Sequence, residues 1–131
     1  MKKPASNYLL LFYRTVTCMI SVKKFTALAL SFPEAVERPH FESTSFRVNK
    51  KIFASLSVKD KRACLKLSLI DQSVFSSFGR QAIYPVPNKW GKQGWTFVEL
   101  AKVKTEMIAD ALTRAYCNVA PKRLAKQYAD Q

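Results

Sequence analysis

The stretch TSFRVNKKIFASLSVKDKRACLKLS, Thr44–Ser68, decides the fold because its side chains alternate with a period of two. Phe46 and Val48 point one way, Ser45 and Arg47 the other. Asn49-Lys50 is a tight turn, since Asn tolerates the left-handed backbone that a two-residue hairpin loop demands. The pattern resumes with Ile52, Ala54, Leu56 and Val58 on one face, against Lys51, Phe53, Ser55 and Ser57. A polar turn at Lys59-Asp60-Lys61 leads to Ala63, Leu65, Leu67 and Leu69 against Arg62, Cys64, Lys66 and Ser68. Three strands joined by short turns predict an antiparallel meander with one apolar face.

Upstream, Ser21 is a plausible N-cap, and Val22, Phe25, Leu28 and Ala29 recur at helical spacing before Pro33 stops the helix. Glu34 to Phe41, flanked and interrupted by Pro33 and Pro39, reads as a loop. Downstream, Asp71 is expected to cap a short helix with Val74, Phe75 and Phe78 inward and Gly79 as its left-handed end. Gln81–Tyr84 reads as a short strand. The loop after it, Pro85–Gly94, carries Trp90 and feeds the strand Trp95–Leu100, rich in β-branched and aromatic residues. Thr105 can cap the longest helix, whose apolar stripe is Met107, Ile108, Ala111, Leu112, Ala115, Tyr116 and Val119. Pro121 can open a last turn containing Leu124. The expected fold is α+β with two layers: a five-stranded antiparallel sheet with helices packed on one face, ordered α-β-β-β-α-β-β-α.

With 131 residues the chain is large enough for one domain and one core. The 22 Lys+Arg outnumber the 9 Asp+Glu, giving a net charge of +13, which suits an anionic partner. Three widely spaced cysteines without a CxxC pair fit reduced thiols in a cytoplasmic protein better than a disulfide or zinc framework. With His40 as the sole histidine, no metal or other cofactor is expected. The apolar run Tyr8–Tyr13 spans only six residues, short of the roughly 7–15 of a signal core and the roughly 20 of a membrane span. Met19 is therefore read as the start of the natural chain, with 1–18 as an upstream extension and 19–131 as the domain.

Phe32-Pro33-Glu34-Ala35, Pro39-His40-Phe41, Phe46-Arg47-Val48 with Lys51-Ile52-Phe53-Ala54, and Asn88-Lys89-Trp90-Gly91 with Gly94-Trp95-Thr96 occur in that order. In this order and spacing, from about Ser21 to Ala125, the chain resembles the MmcQ/YjbR family. The resemblance implies an α/β fold of the type seen in secretion chaperones. It also implies the DNA-binding, double-wing description commonly given to the family, and it carries over no catalytic residue.

The chemistry agrees with an anionic partner. Between Phe46 and Lys92 stand ten basic residues and two acids, Asp60 and Asp71, a net of +8. Alternation places Arg47, Lys51, Arg62 and Lys66 on the face away from the core, with Phe53 among them as a stacking platform, while Lys50, Lys59 and Lys61 occupy the turns. Lys89 and Lys92 flank Trp90, which is divided between stacking and packing; Trp95 is assigned to the core. The leading expectation is a small, non-enzymatic, largely sequence-nonspecific DNA-binding protein using Arg47, Lys50, Lys51, Phe53, Lys61, Arg62, Lys66, Lys89, Trp90 and Lys92. The alternatives are a protein-binding or chaperone-like module, a homodimer included, and a small-molecule or drug pocket at His40, Tyr84 and Trp90. No nucleophile elbow, phosphate loop or dinucleotide fingerprint occurs.

Overall fold

The computed structural model describes residues 20–128; the expectations for 1–18 and Met19 lie outside them. Helix α1 (Val22–Leu30) begins where the sequence places it, with the Ser21 hydroxyl accepting from the Lys24 N–H at 3.0 Å. Six strands follow: β1 (Val36–His40), β2 (Ser43–Val48), β3 (Lys51–Ser57), β4 (Arg62–Lys66), β5 (Ile83–Pro85) and β6 (Trp95–Glu99). They form one antiparallel sheet in the order β1-β2-β3-β4-β6-β5. Helix α2 (Leu69–Phe78) lies between β4 and β5, and α3 (Thr105–Val119) and α4 (Lys122–Ala125) follow β6. The architecture is the expected two-layer α+β arrangement with one more strand. That strand is the segment read as a loop. Pro39 is tolerated in β1 because β1 is an edge strand, so the missing N–H breaks no interior ladder.

The β2–β3 turn forms as read: Asn49 and Lys50 both take positive φ (52° and 68°), the signature of a type I′ hairpin. Just inside it the alternation fails. Phe46 pairs with Ala54, but Arg47 pairs with Ile52, so Phe53 is an extra residue bulged out of the ladder. The bulge turns Phe53 onto the helix-covered side, where it is fully buried beside Ala54. There it meets Tyr116 edge-on at 5.5 Å and Phe32 at 6.1 Å. Phe53 thus belongs to the core rather than to the basic face. Ile52 moves the other way, onto the open face. Lys51 pairs with Val48 and so shares the register of the helix-covered side at the hairpin mouth, away from Arg47.

The core is the layer between the sheet and α1 and α3. Ile108, Ala111, Leu112, Ala115 and Tyr116 are all fully buried, as the i, i+3, i+4 stripe dictates. Tyr116 stacks on Phe32 at 4.7 Å and donates its hydroxyl proton to the Pro33 carbonyl at 2.8 Å, tying α3 to the end of α1. Burial pushes its phenol up to about 12, so it stays a neutral donor. Three local expectations give way. Ser68, not Asp71, caps α2, accepting from the Asp71 N–H at 3.1 Å. Lys104 precedes α3 without a side-chain cap, and Thr105 is its first residue. Gly79 has φ 179°, extended backbone, so it is no left-handed cap. Helix α2 also buries Gln72. Of the three residues expected inward, Phe75 packs against the core while Val74 and Phe78 are exposed, and Leu69, read on the apolar sheet face, is an exposed first residue of α2.

Because Phe53 fills a sealed aromatic cluster, Phe53→Ala is expected to cost about 3–5 kcal/mol in denaturant unfolding. A solvent-facing Phe53 would give a change within about 0.5 kcal/mol.

Candidate functional site

Helices cover one side of the sheet and leave the other open. A row of paired residues crosses that open face through all six strands: Arg38, Ser45, Ser55, Cys64, Phe97 and Tyr84. Small side chains in the middle of this row leave a floor, and larger ones stand around it. The result is a concavity of about 430 Å³ lined by His40, Ile52, Ser55, Cys64, Val86, Trp90, Trp95 and Phe97. Its wall is mainly apolar. Ile52 is there because of the bulge, and Trp95 is there because Thr96 and Val98 take the buried side of β6. Trp95 is therefore a wall of the open face rather than a core residue.

The tryptophan loop is held over this concavity by its backbone. Asn88 Oδ1 accepts from the Trp90 N–H at 2.8 Å, and Trp90 O accepts from the Trp95 N–H at 3.1 Å. Gly91 and Gly94 pack so closely that a Cβ would lie 2.0 Å from Val86 O and 1.9 Å from Leu67 O respectively. Gly94 also takes φ 103°, a region open chiefly to glycine. The key polar pin is buried Gln72 of α2. Its amide nitrogen donates to Gly91 O at 2.9 Å, Trp95 O at 3.1 Å and Thr96 Oγ1 at 3.1 Å. Nothing in the pattern of α2 singles out Gln72 as more than a surface glutamine.

Three cations of the face stand over three of its rings: Arg62 over Phe97 at 4.2 Å, Lys66 over Trp95 at 5.6 Å and Lys89 over Trp90 at 5.9 Å. They are not equally available. Arg62 lies 3.6 Å from Asp60 and 3.8 Å from Glu99, so its charge is largely met. Tyr84 donates to Glu99, and its phenol is raised by burial and then by that hydrogen bond. Lys66 donates to Gln93 O. Arg47 donates Nε–H to Ser45 Oγ at 3.0 Å and remains half-exposed on the open face. Lys50 and Lys61 are exposed at turns, and Lys89 and Lys92 are exposed in the tryptophan loop. Among the described residues every ion pair is made by an arginine (Arg62, Arg114 or Arg123), and no lysine takes part.

Of the three residues read as a small-ligand pocket, His40 and Trp90 line the concavity. Tyr84 stands one ring away, 5.7 Å edge-on from Phe97. Cys64 forms part of the floor, where burial pushes its thiol up to about 11 and keeps it protonated at neutral pH. Among the described residues no cluster of three or more His, Cys, Asp and Glu is arranged to hold a metal, and no helix is long and apolar enough to cross a membrane.

An antiparallel sheet with one helical layer and one open aromatic face defines a small α+β domain. A family model, YjbR, matches residues 30–118, and the chain belongs to that family. The crystal structure of Deinococcus radiodurans protein DR2400, with a DUF419 domain, is similar in fold. Its TM-score is 0.69 over 86% of this chain and 91% of that one, at 21% identity. No curated protein matches the chain.

If Gln72 pins the tryptophan loop, Gln72→Leu removes a second hydrogen bond from Gly91 O and from Trp95 O, each of which keeps one backbone N–H donor. It should cost about 1–3 kcal/mol and speed amide exchange at Gly94 and Trp95, while α3 keeps its protection. Uniform loss of protection would place Gln72 in the general core instead.

Proposed function

We propose that the protein is a non-catalytic, cytoplasmic nucleic-acid-binding module that grips phosphates with the cations of its open face and hairpin turns. The observation that carries this reading is the division of labour among its bases. Arginines make the internal ion pairs, while the lysines at the turns and in the tryptophan loop have no carboxylate partner among the described residues. An ammonium without a fixed partner can exchange its counterion for a phosphate, which is the source of salt-dependent affinity. Lys50, Lys61, Lys89 and Lys92 are point charges that read the backbone and not base edges, so recognition is largely independent of sequence.

A second reading rests on α2. Ile70, Val74 and Phe78, spaced i, i+4, i+8, are exposed, Phe78 to 70%. Such a stripe suits a protein partner or a second copy of the chain. Light scattering that shows a monomer at all concentrations, in both the native protein and Phe78→Ser, would remove the homodimer version.

For the nucleic-acid reading, the logarithm of the association constant with a labelled duplex should fall linearly with log salt. A Lys50/Lys61/Lys89→Gln triple variant should lower that slope by about 2–3, roughly one for each phosphate that is no longer neutralised. Affinity that is flat across the salt series would sink the proposal.

A further inference from the structure

The concavity asks for more than phosphates. Phosphate-gripping lysines need no tryptophan, yet the uncovered side of the sheet presents Trp90, half exposed, with Trp95 and Phe97 around a floor of Ser55 and Cys64. Large rings left partly in water, each with a cation 4.2–5.9 Å from its centre, form a surface for a planar aromatic group carrying negative charge. About 430 Å³ lies within the roughly 300–1,000 Å³ range of sites that enclose one such group.

The surroundings indicate that this group belongs to a polymer. A second hollow lined by Arg38, Arg47 and Lys50 lies beside the first across β1 and β2, since Arg47 pairs with Ile52 of the concavity wall. On the other flank a third hollow shares Ser55, Cys64 and Phe97 with it, but there Asp60, Glu99 and Glu42 offset Arg62 and Lys59. Positive charge is thus left over at the Arg47–Lys50 end and at Lys89 and Lys92 of the tryptophan loop, on either side of the rings. A chain that places a phosphate at each end and a ring between fits that order. A duplex does not fit, because its bases are stacked inside and cannot enter a hollow in a sheet.

Resting on the nucleic-acid reading above, we infer that the open face takes single-stranded nucleic acid and seats one unpaired base in the Trp90–Trp95–Phe97 concavity, with flanking phosphates on Arg47 and Lys50 and on Lys89 and Lys92. His40 stands at the rim. Beside it Phe41 is 95% exposed at the β1–β2 turn, its ring 4.9 Å from the imidazole.

The test compares, at one salt concentration, a labelled single strand, the duplex of the same sequence, the same single strand with abasic sites throughout its centre, and a free nucleoside monophosphate. The single strand should bind at least about tenfold tighter than the duplex, and the abasic strand, with every phosphate retained, should lose that advantage. Trp90→Ala should weaken the single strand by between about fivefold and about 150-fold, the range of one base–aromatic stack. Ser55→Leu, which fills the floor while sparing both tryptophans, should do the same if Trp90→Ala disturbs the loop. Equal binding of intact, abasic and duplex forms, unchanged in both variants, would overturn the base pocket and leave the phosphate reading standing. A monophosphate that binds as tightly as the strand would overturn the polymer assignment. Absence of binding to all of them would overturn both readings.

Discussion

One extra residue in β3 sets both faces of this sheet. Were the β2–β3 ladder regular, Arg47 would oppose Phe53, and Ile52 would join Val48 under the helices. The bulge between the Phe46–Ala54 and Arg47–Ile52 pairs instead drops Phe53 into the core. The Phe32–Tyr116–Phe53 cluster then closes α1 and α3 over the sheet. The same shift supplies an aliphatic wall, Ile52, to the opposite side. Core and candidate site share this cause, since a side chain that leaves one face of a pleated sheet must arrive at the other.

The open face then depends on polar anchoring rather than on burial. No helix covers Trp90 and Trp95, so their loop is fixed by the Gln72 amide, by Asn88, and by two glycines that let backbones approach where a Cβ could not fit. The Gln72 bonds add a side-chain donor to carbonyls that already accept from the Gly94 and Val86 N–H groups, and so tie the loop to α2. A rigid loop keeps the tryptophan planes in place without a ligand, and a preformed aromatic surface avoids the entropic cost of ordering at the moment of binding.

Charge is distributed with a comparable division. The guanidiniums of Arg62, Arg114 and Arg123 are engaged with Asp60 and Glu99, Asp71 and Glu34 within the fold. In the Arg123–Glu34 pair the hydrogen bond lowers the carboxyl and raises the guanidinium, as mutual stabilisation of two charged forms requires. Both partners are exposed, so this marks geometry more than stability. The lysines, with flexible stems and compact charges, make no ion pair among the described residues.

Much of this was written in the sequence. The meander, the Asn49-Lys50 hairpin, the Ser21 cap, the α3 stripe and the basic bias of Phe46–Lys92 all follow from local rules of periodicity, turn chemistry and charge. The YjbR resemblance was carried by the order of short motifs. Tertiary structure alone decided four things. Val36–His40 became an edge strand, because a Pro-bearing segment pairs only if a neighbouring edge is free. Phe53 crossed to the core, because a bulge costs one ladder pair and the aromatic cavity between α1 and α3 offsets it. Trp95 faced outward, since Thr96 and Val98 claimed the inner positions of β6. Gln72 turned inward to meet carbonyls from a loop some twenty residues away. Local pattern sets which side chains share a face. Which face meets the helices, and which polar group meets which carbonyl, is settled only when distant segments compete for the same space.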